Sequence, residues 1–200
     1  MFIELTDHLR CPADHEEQFL VLVPEVMDGR DVRQGSLGCL VCHRSYPIRD
    51  GIALFGRAPS AVAAPTCLTP DAQAALAGLG GPGGYAVLVG GAAARADLVA
   101  QELTGIGLVL VNPPGDGPDP AFASRLIAPS LPLKTGSMRT AILGPGYGND
   151  PAWVREAARV VLVGNRVVGE GDAPSIDGLE LAADAEGCWV AVRGRLKAKS

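Results

Sequence analysis

The chain has 200 residues, 48% of them hydrophobic, 20% charged and 4% aromatic, with a formal net charge of −5. That supply of apolar residues excludes extended disorder, and the acidic balance argues against a protein that itself grips phosphate backbones. Its 26 glycines and 16 prolines stand above ordinary usage without a period of three, which excludes collagen and predicts a compact fold with many turns. In chain order, Ile3 to Arg10 reads as a short helix, Gln18–Met27 and Val32–Leu40 as a hairpin turning at Asp28-Gly29, and Ile52–Phe55 as a short strand. Thr69-Pro70-Asp71 opens a helix that Gly80-Gly81 stops. Tyr85–Gly90 is a buried strand, Ala92–Leu103 a helix and Ile106–Val111 a second buried strand. Arg125–Ala128, Arg139–Leu143, Val160–Val163 and Val167–Gly169 follow as short strands, with a helix at Pro151–Arg159. Leu179–Ala182 and Cys188–Arg193 close the chain as an antiparallel pair. Apolar strands without alternation, separated by helical stretches, imply a mostly parallel α/β sheet covered on both faces.

Composition divides the chain. Residues 1–56 hold all three histidines and three of the five cysteines, whereas 57–69 are mainly small, uncharged and interrupted by proline, as in a linker. From residue 70 onward the sequence is rich in Ala, Gly, Val and Leu. No apolar run is long enough to span a bilayer, and the first eight residues carry two acids and no basic run, so neither a membrane segment nor a secretory signal is expected and the location expected is cytoplasmic. The basic run Arg193, Arg195, Lys197 and Lys199 reads as a solvated tail, and no direct nucleic-acid binding is expected.

The first segment carries a metal-ligand pattern. Cys11-Pro-Ala-Asp14-His15 is a tight turn, and Cys39-Leu-Val-Cys42-His43 is a Cys-x-x-Cys knuckle. Tetrahedral Zn²⁺ takes four soft or borderline ligands, and two turns supply two each. Cys11, Cys39 and Cys42 are three. The fourth is left open between Asp14, which stands where a second cysteine would complete the knuckle, and His15, the better ligand one residue further on. A 56-residue segment buries little surface alone, and a structural zinc contributing on the order of 10 kcal/mol would hold it. A metal-free ribbon held by the second segment is the alternative. Cys39-x-x-Cys42-His43 also matches c-type haem attachment, which needs export, and a redox dithiol, which needs a following helix where this chain has Tyr46-Pro47, a turn signal. Disulfides are not expected among five cysteines in a cytosolic chain, and Cys67 and Cys188 read as small apolar residues.

Leu9-Arg10-Cys11-Pro12, Cys39-x-x-Cys42 and Tyr46-Pro47-Ile48-Arg49-Asp50-Gly51-Ile52 together resemble the zinc-ribbon activator subunit of tRNA, rRNA and release-factor methyltransferases, the Trm one-twelve family. The resemblance covers residues 1–56 and departs from the four-cysteine version at Asp14. It implies a small α+β zinc ribbon that binds a methyltransferase and keeps it soluble and active. Beyond the linker, Leu131–Leu143 and Glu156–Val168 resemble the fourth-strand entry and the following helix, turn and fifth strand of class I S-adenosylmethionine-dependent methyltransferases. The implied architecture for residues 70–200 is a compact Rossmann-like sheet closed by the Leu179–Arg195 hairpin.

The cofactor positions match that template poorly. The first strand ends in Gly90-Gly91-Ala92, without Gly-x-Gly-x-Gly, and the second ends at Asn112, which carries no charge where a ribose-binding acid is needed. Gly90, Gly91 and Asn112 are the candidate cofactor contacts, set against a turn kept for packing. Asn112-Pro113-Pro114-Gly115 lacks the aromatic of amino-group methyltransferases and follows the wrong strand; Tyr147, in Gly144-Pro145-Gly146-Tyr147, is the one stacking candidate after the fourth strand and reads as a surface lid. No histidine lies in the second segment, so no catalytic residue is assigned. Glycine and proline gather at 80–84, 90–91, 113–120 and 144–148, read as strand ends where a doubly wound sheet binds its ligand. The expectation is a non-catalytic binding or scaffold protein within a larger complex, with an active methyltransferase on RNA or a translation protein as the alternative.

Overall fold

A computed structural model describes residues 1–59, 66–115 and 120–195. Residues 60–65 of the expected linker, residues 116–119, and Lys197 and Lys199 lie outside these residues. The N-terminal 3-10 helix spans Ile3–His8. Strands β1 (Leu20–Asp28), β2 (Asp31–Cys39), β3 (Ser45–Arg49) and β4 (Ile52–Leu54) follow as an antiparallel meander. The β1–β2 turn pairs Asp28 with Asp31 and places Gly29 at φ 58°, as a two-residue hairpin requires. Strand β3 was not expected: Tyr46-Pro47 reads as a turn, yet Pro47 stands opposite Ser36 inside the ladder.

The second segment supplies α1 (Pro70–Ala77), β5 (Tyr85–Val89), α2 (Ala96–Glu102), β6 (Gly107–Val111), β7 (Ala123–Ile127), β8 (Met138–Leu143), α3 (Pro151–Val160), β9 (Val161–Glu170), β10 (Leu179–Ala185) and β11 (Cys188–Arg193). Thr69 caps α1 by accepting from the Ala72 amide, and Gly78 at φ 62° ends it, two residues before the glycine pair expected to do so. Gly90–Ala93 forms a 3-10 turn, so the helix expected from Ala92 starts only at Ala96. The strands expected at 160–163 and 167–169 are one strand, β9, with Gly164 at φ 86°.

All strands belong to one sheet in the order β1-β2-β3-β4-β7-β6-β5-β8-β9-β11-β10. The pairs β4–β7, β7–β6, β6–β5, β5–β8 and β8–β9 are parallel, and the outer pairs are antiparallel. The two compositional segments therefore meet by backbone hydrogen bonding, since Ile52, Ala53 and Leu54 pair with Arg125, Leu126 and Ile127. Side chains alternate across the sheet. Val87, Val89 and Val109 face one core with Leu5, Leu9, Leu37, Ile48, Leu126 and α3's Trp153, whereas Leu88, Leu108, Leu110 and Ile142 face α1 and α2 with Ala77 and Val99. The first core takes residues from both segments, and each buried Val or Leu contributes about 1.5–3 kcal/mol over its exposed state.

Thr66 and Cys67 are tied to the end of β9. Glu170 is only 2% exposed, and its carboxylate accepts from the Thr66 hydroxyl, the Cys67 amide at 2.7 Å and the Cys67 thiol at 2.9 Å. That hydrogen bond to Glu170, followed by burial, pushes the Cys67 thiol up to about 11. Cys67 is thus a donor on a buried carboxylate, not simply a small apolar residue. Although exposed, it should alkylate slowly at pH 8, and Glu170→Gln should speed the reaction roughly tenfold as the thiolate fraction rises and its nucleophilicity partly falls. Mass spectrometry of iodoacetamide-treated protein reads this directly; equal rates would show that the carboxylate does not control the thiol.

Candidate metal centre and the strand-end cleft

The loop carrying the first two ligands is closed by backbone pairing. Arg10 bridges Phe19, and the Cys11 amide donates to Gln18 O at 2.9 Å, so residues 11–18 return on themselves. The His15 amide donates to Ala13 O at 2.9 Å, a tight turn in the loop that brings the imidazole to Cys39 Sγ. The other two ligands come from the knuckle after β2. There Cys39 N donates to Arg44 O, His43 N donates to Cys39 O, and His43 takes φ 58°.

The ligand atoms of Cys11, His15, Cys39 and Cys42 all lie within 4.8 Å of one another. Cys11 Sγ is 3.6 Å from Cys42 Sγ, and His15 Nε2 is 3.4 Å from Cys39 Sγ. Three sulfurs and one imidazole nitrogen so placed could hold one metal ion, and a Cys₃His donor set suits structural zinc. Of the two candidates for the fourth position the structure brings His15 into the group; Asp14 and His43 are exposed and stand outside it.

The surroundings tune these donors. His15 Nδ1 donates to Glu16 O at 2.7 Å, which leaves Nε2 as the lone-pair nitrogen facing the sulfurs. That backbone bond is the first cause raising the His15 pKa. Burial pushes the Cys39 thiol up, but the Cys42 and Val41 amides and the Cys42 and Cys11 thiols outweigh it and set a value of about 6. Burial raises the Cys11 thiol. The Tyr46 hydroxyl lies within hydrogen-bond distance of Cys11 Sγ, at 3.2 Å, and is kept protonated far above the usual phenol value by burial and then by Cys11. The spacing of ligands did not reveal Tyr46 as a partner of the site; its nearness follows from β3, where it pairs with Leu37.

The second candidate site lies at the C-terminal ends of β5, β6 and β8. Gly90, at φ 59°, sits beneath the Tyr147 ring, where a Cβ would come within 2.4 Å of Tyr147 Cε2. Gly91 is partly buried in the same 3-10 turn. Asn112 occupies the left-handed region and clamps β6 to the chain after β7: Nδ2 donates to Ala128 O at 2.8 Å and Oδ1 accepts from the Ala128 amide at 2.9 Å. Asn112 also interacts with the Tyr147 hydroxyl, whose pKa burial raises while Asn112 pulls it down. Tyr147 is only 4% exposed and meets Trp153 edge-on at 4.7 Å between ring centroids, so it is a core residue and not a surface lid. Gly144 packs against the same turn, since a Cβ there would lie 2.6 Å from Ala92 N. Gly80–Gly84 lies before β5, at the opposite ends of the strands, and is bound there by Arg139, whose guanidinium donates to the carbonyls of Gly80, Gly81, Pro82 and Gly83.

No protein-family model matches the sequence, and comparison with curated proteins gives no match. Among solved structures, the chain is similar to a structural-genomics protein of Corynebacterium glutamicum, at 16% identity and a TM-score of 0.50, over 68% of this chain and 85% of that one. At that identity the likeness concerns the fold. Among the described residues no helix is long and apolar enough to cross a membrane.

Proposed function

We propose that this chain is a non-catalytic binding protein, a metal-stapled ribbon fused to a methyltransferase-like sheet whose cofactor cleft is filled by its own side chain. The observation that carries the reading is Tyr147. Counted from β5, the second segment's strands lie in the order 3-2-1-4-5-7-6, which is the dinucleotide-binding order 3-2-1-4-5-6 with one antiparallel strand inserted. In such sheets the ligand binds at the carboxyl ends of the strands where the order reverses, here between β5 and β8. That place holds Gly90, Gly144 and the Tyr147 ring. Asn112, at the ribose position, spends both polar atoms on Ala128.

A protein partner is supported by the opposite edge of the sheet. Strand β1 is an edge strand, and Val21, Val23, Val26 and Met27 are exposed along it, with Phe19 just before it and Leu40 and Val41 at the knuckle. An exposed apolar edge is a liability that proteins cover or use for association. Zinc is the metal that this reading assigns to Cys11, His15, Cys39 and Cys42, with a structural role for want of an open fourth position. Calorimetry of the full chain with S-adenosylmethionine tests the proposal. No saturable heat is expected; micromolar binding would restore the active methyltransferase reading, in which Gly90, Gly91 and Asn112 contact the cofactor.

A further inference from the structure

A cavity of about 540 Å³ opens between the C-terminal half of α3, the segment before β10 and the end of β11. Its polar lining is Thr135, Arg155, Arg159, Ser175, Asp177 and Arg193, three guanidinium groups against one carboxylate in a chain of net charge −5. The volume falls in the range of small-molecule sites.

The three arginines differ in what they have left to give. Arg159 is saturated. Its Nε and Nη2 donate to Glu156 at 2.9 and 2.8 Å, Nη2 also to Leu131 O, and Nη1 to Leu133 O and the Thr135 hydroxyl. Arg193 directs Nη1 at the carbonyls of Arg159 and Val161, which ends the helix-to-strand corner, and has Nη2 and Nε unassigned among the described residues. It is therefore a half-buried wall of this cavity and not part of a solvated tail. Arg155 is exposed and makes no hydrogen bond or ion pair among the described residues. Burial and then the neighbouring Arg159 charge lower the Arg193 pKa, as expected of a cation lacking its counter-charge.

We infer that this cavity binds a small phosphorylated molecule, whose phosphoryl oxygens are held by the free guanidinium edges of Arg155 and Arg193. Guanidinium forks match phosphoryl oxygens in paired hydrogen bonds, and Ile176 and Ala158 give the cavity an apolar wall for the rest of such a molecule. A nucleic acid fits less well, because only two guanidinium groups are available and polymer binding draws on many phosphate contacts.

The test is titration of the full chain with inorganic pyrophosphate at low ionic strength, followed by calorimetry and thermal shift. Saturable binding is expected. Arg155→Ala should weaken it about tenfold, Arg155→Lys should fall between, and Arg57→Ala, at an exposed arginine outside the cavity lining, should leave it unchanged. Arg155 is exposed, so its variants should fold like the parent protein, which circular dichroism checks. Equal shifts from sodium acetate at matched ionic strength, equal weakening by Arg57→Ala, or a single-stranded oligonucleotide binding far more tightly than pyrophosphate through the same arginine would overturn the inference.

Discussion

Stripping the metal proposed for Cys11, His15, Cys39 and Cys42 is expected to lower the melting temperature by more than about 10 °C. Structural zinc carries roughly 10–16 kcal/mol at pH 7 in isolated fingers. Only part of that bears on this fold, because β2 and β3 are also held by their ladder and by Leu37 and Ile48 in the shared core. A few kcal/mol is enough, since each is worth about 2–4 °C in a domain of this size. Cys39→Ala should reproduce the loss, and hydrogen exchange should rise first in residues 11–18 and 39–44, where the ligands tie two loops together. The pH dependence has a definite sign. Cys39 is depressed to about 6, below its unfolded value of 9.0, so its stabilising contribution is full above pH 9 and fades as pH falls through 6. Acid also protonates His15, whose pKa is raised, and protons displace metal from both ligands. Metal content measured across pH 8 to 5 should therefore fall steeply near the lower end. A melting temperature unchanged after verified metal removal would leave the alternative of a ribbon held by its contacts alone.

The parts of this site that were legible in the sequence are those that depend on spacing. A Cys-x-x-Cys knuckle forces its two sulfurs together, and Cys11 in a tight turn supplies the third. The choice between Asp14 and His15 depends instead on how residues 11–18 close, through Arg10–Phe19 pairing and the His15–Ala13 bond, which no local pattern encodes. The fold divides likewise. Buried strands such as β5 and β6 and the capped helix α1 announce themselves by apolar runs and by Thr69-Pro70. Strand β3 is hidden because Pro47 reads as a breaker. Gly164 splits β9 into two apparent strands. The junction of the two segments is a three-residue parallel pairing, Ile52–Leu54 with Arg125–Ile127, whose partners are far apart in the chain. Composition marks a change of character at residues 57–69, yet hydrogen bonding across the sheet joins what composition separates.

Tyr147→Ala is expected to cost about 3–5 kcal/mol, as large-to-small changes of buried aromatic residues do. The ring is enclosed by the Gly90 backbone below, Trp153 at its edge and Asn112 at its hydroxyl. None of these can close the gap: Gly90 has no side chain, and Asn112 is fixed by two bonds to Ala128. Tyr147→Phe keeps the ring and loses only the hydroxyl interaction, so about 1 kcal/mol is expected. Chemical denaturation of the three proteins measures both values. The same variants separate a packing residue from a lid. If Tyr147 were a displaceable cover over a working cofactor site, alanine would open the cleft at little cost in stability and S-adenosylmethionine would bind saturably. If the ring is core, alanine unfolds the protein more easily and titration stays flat, because the opened space ends at Asn112 and has no carboxylate there to hold a ribose. The glycines at 90 and 144 then have a purpose independent of any ligand: at both positions a Cβ would collide with the Tyr147 ring or the backbone of the 3-10 turn, so the chain needs glycine there to pack against itself.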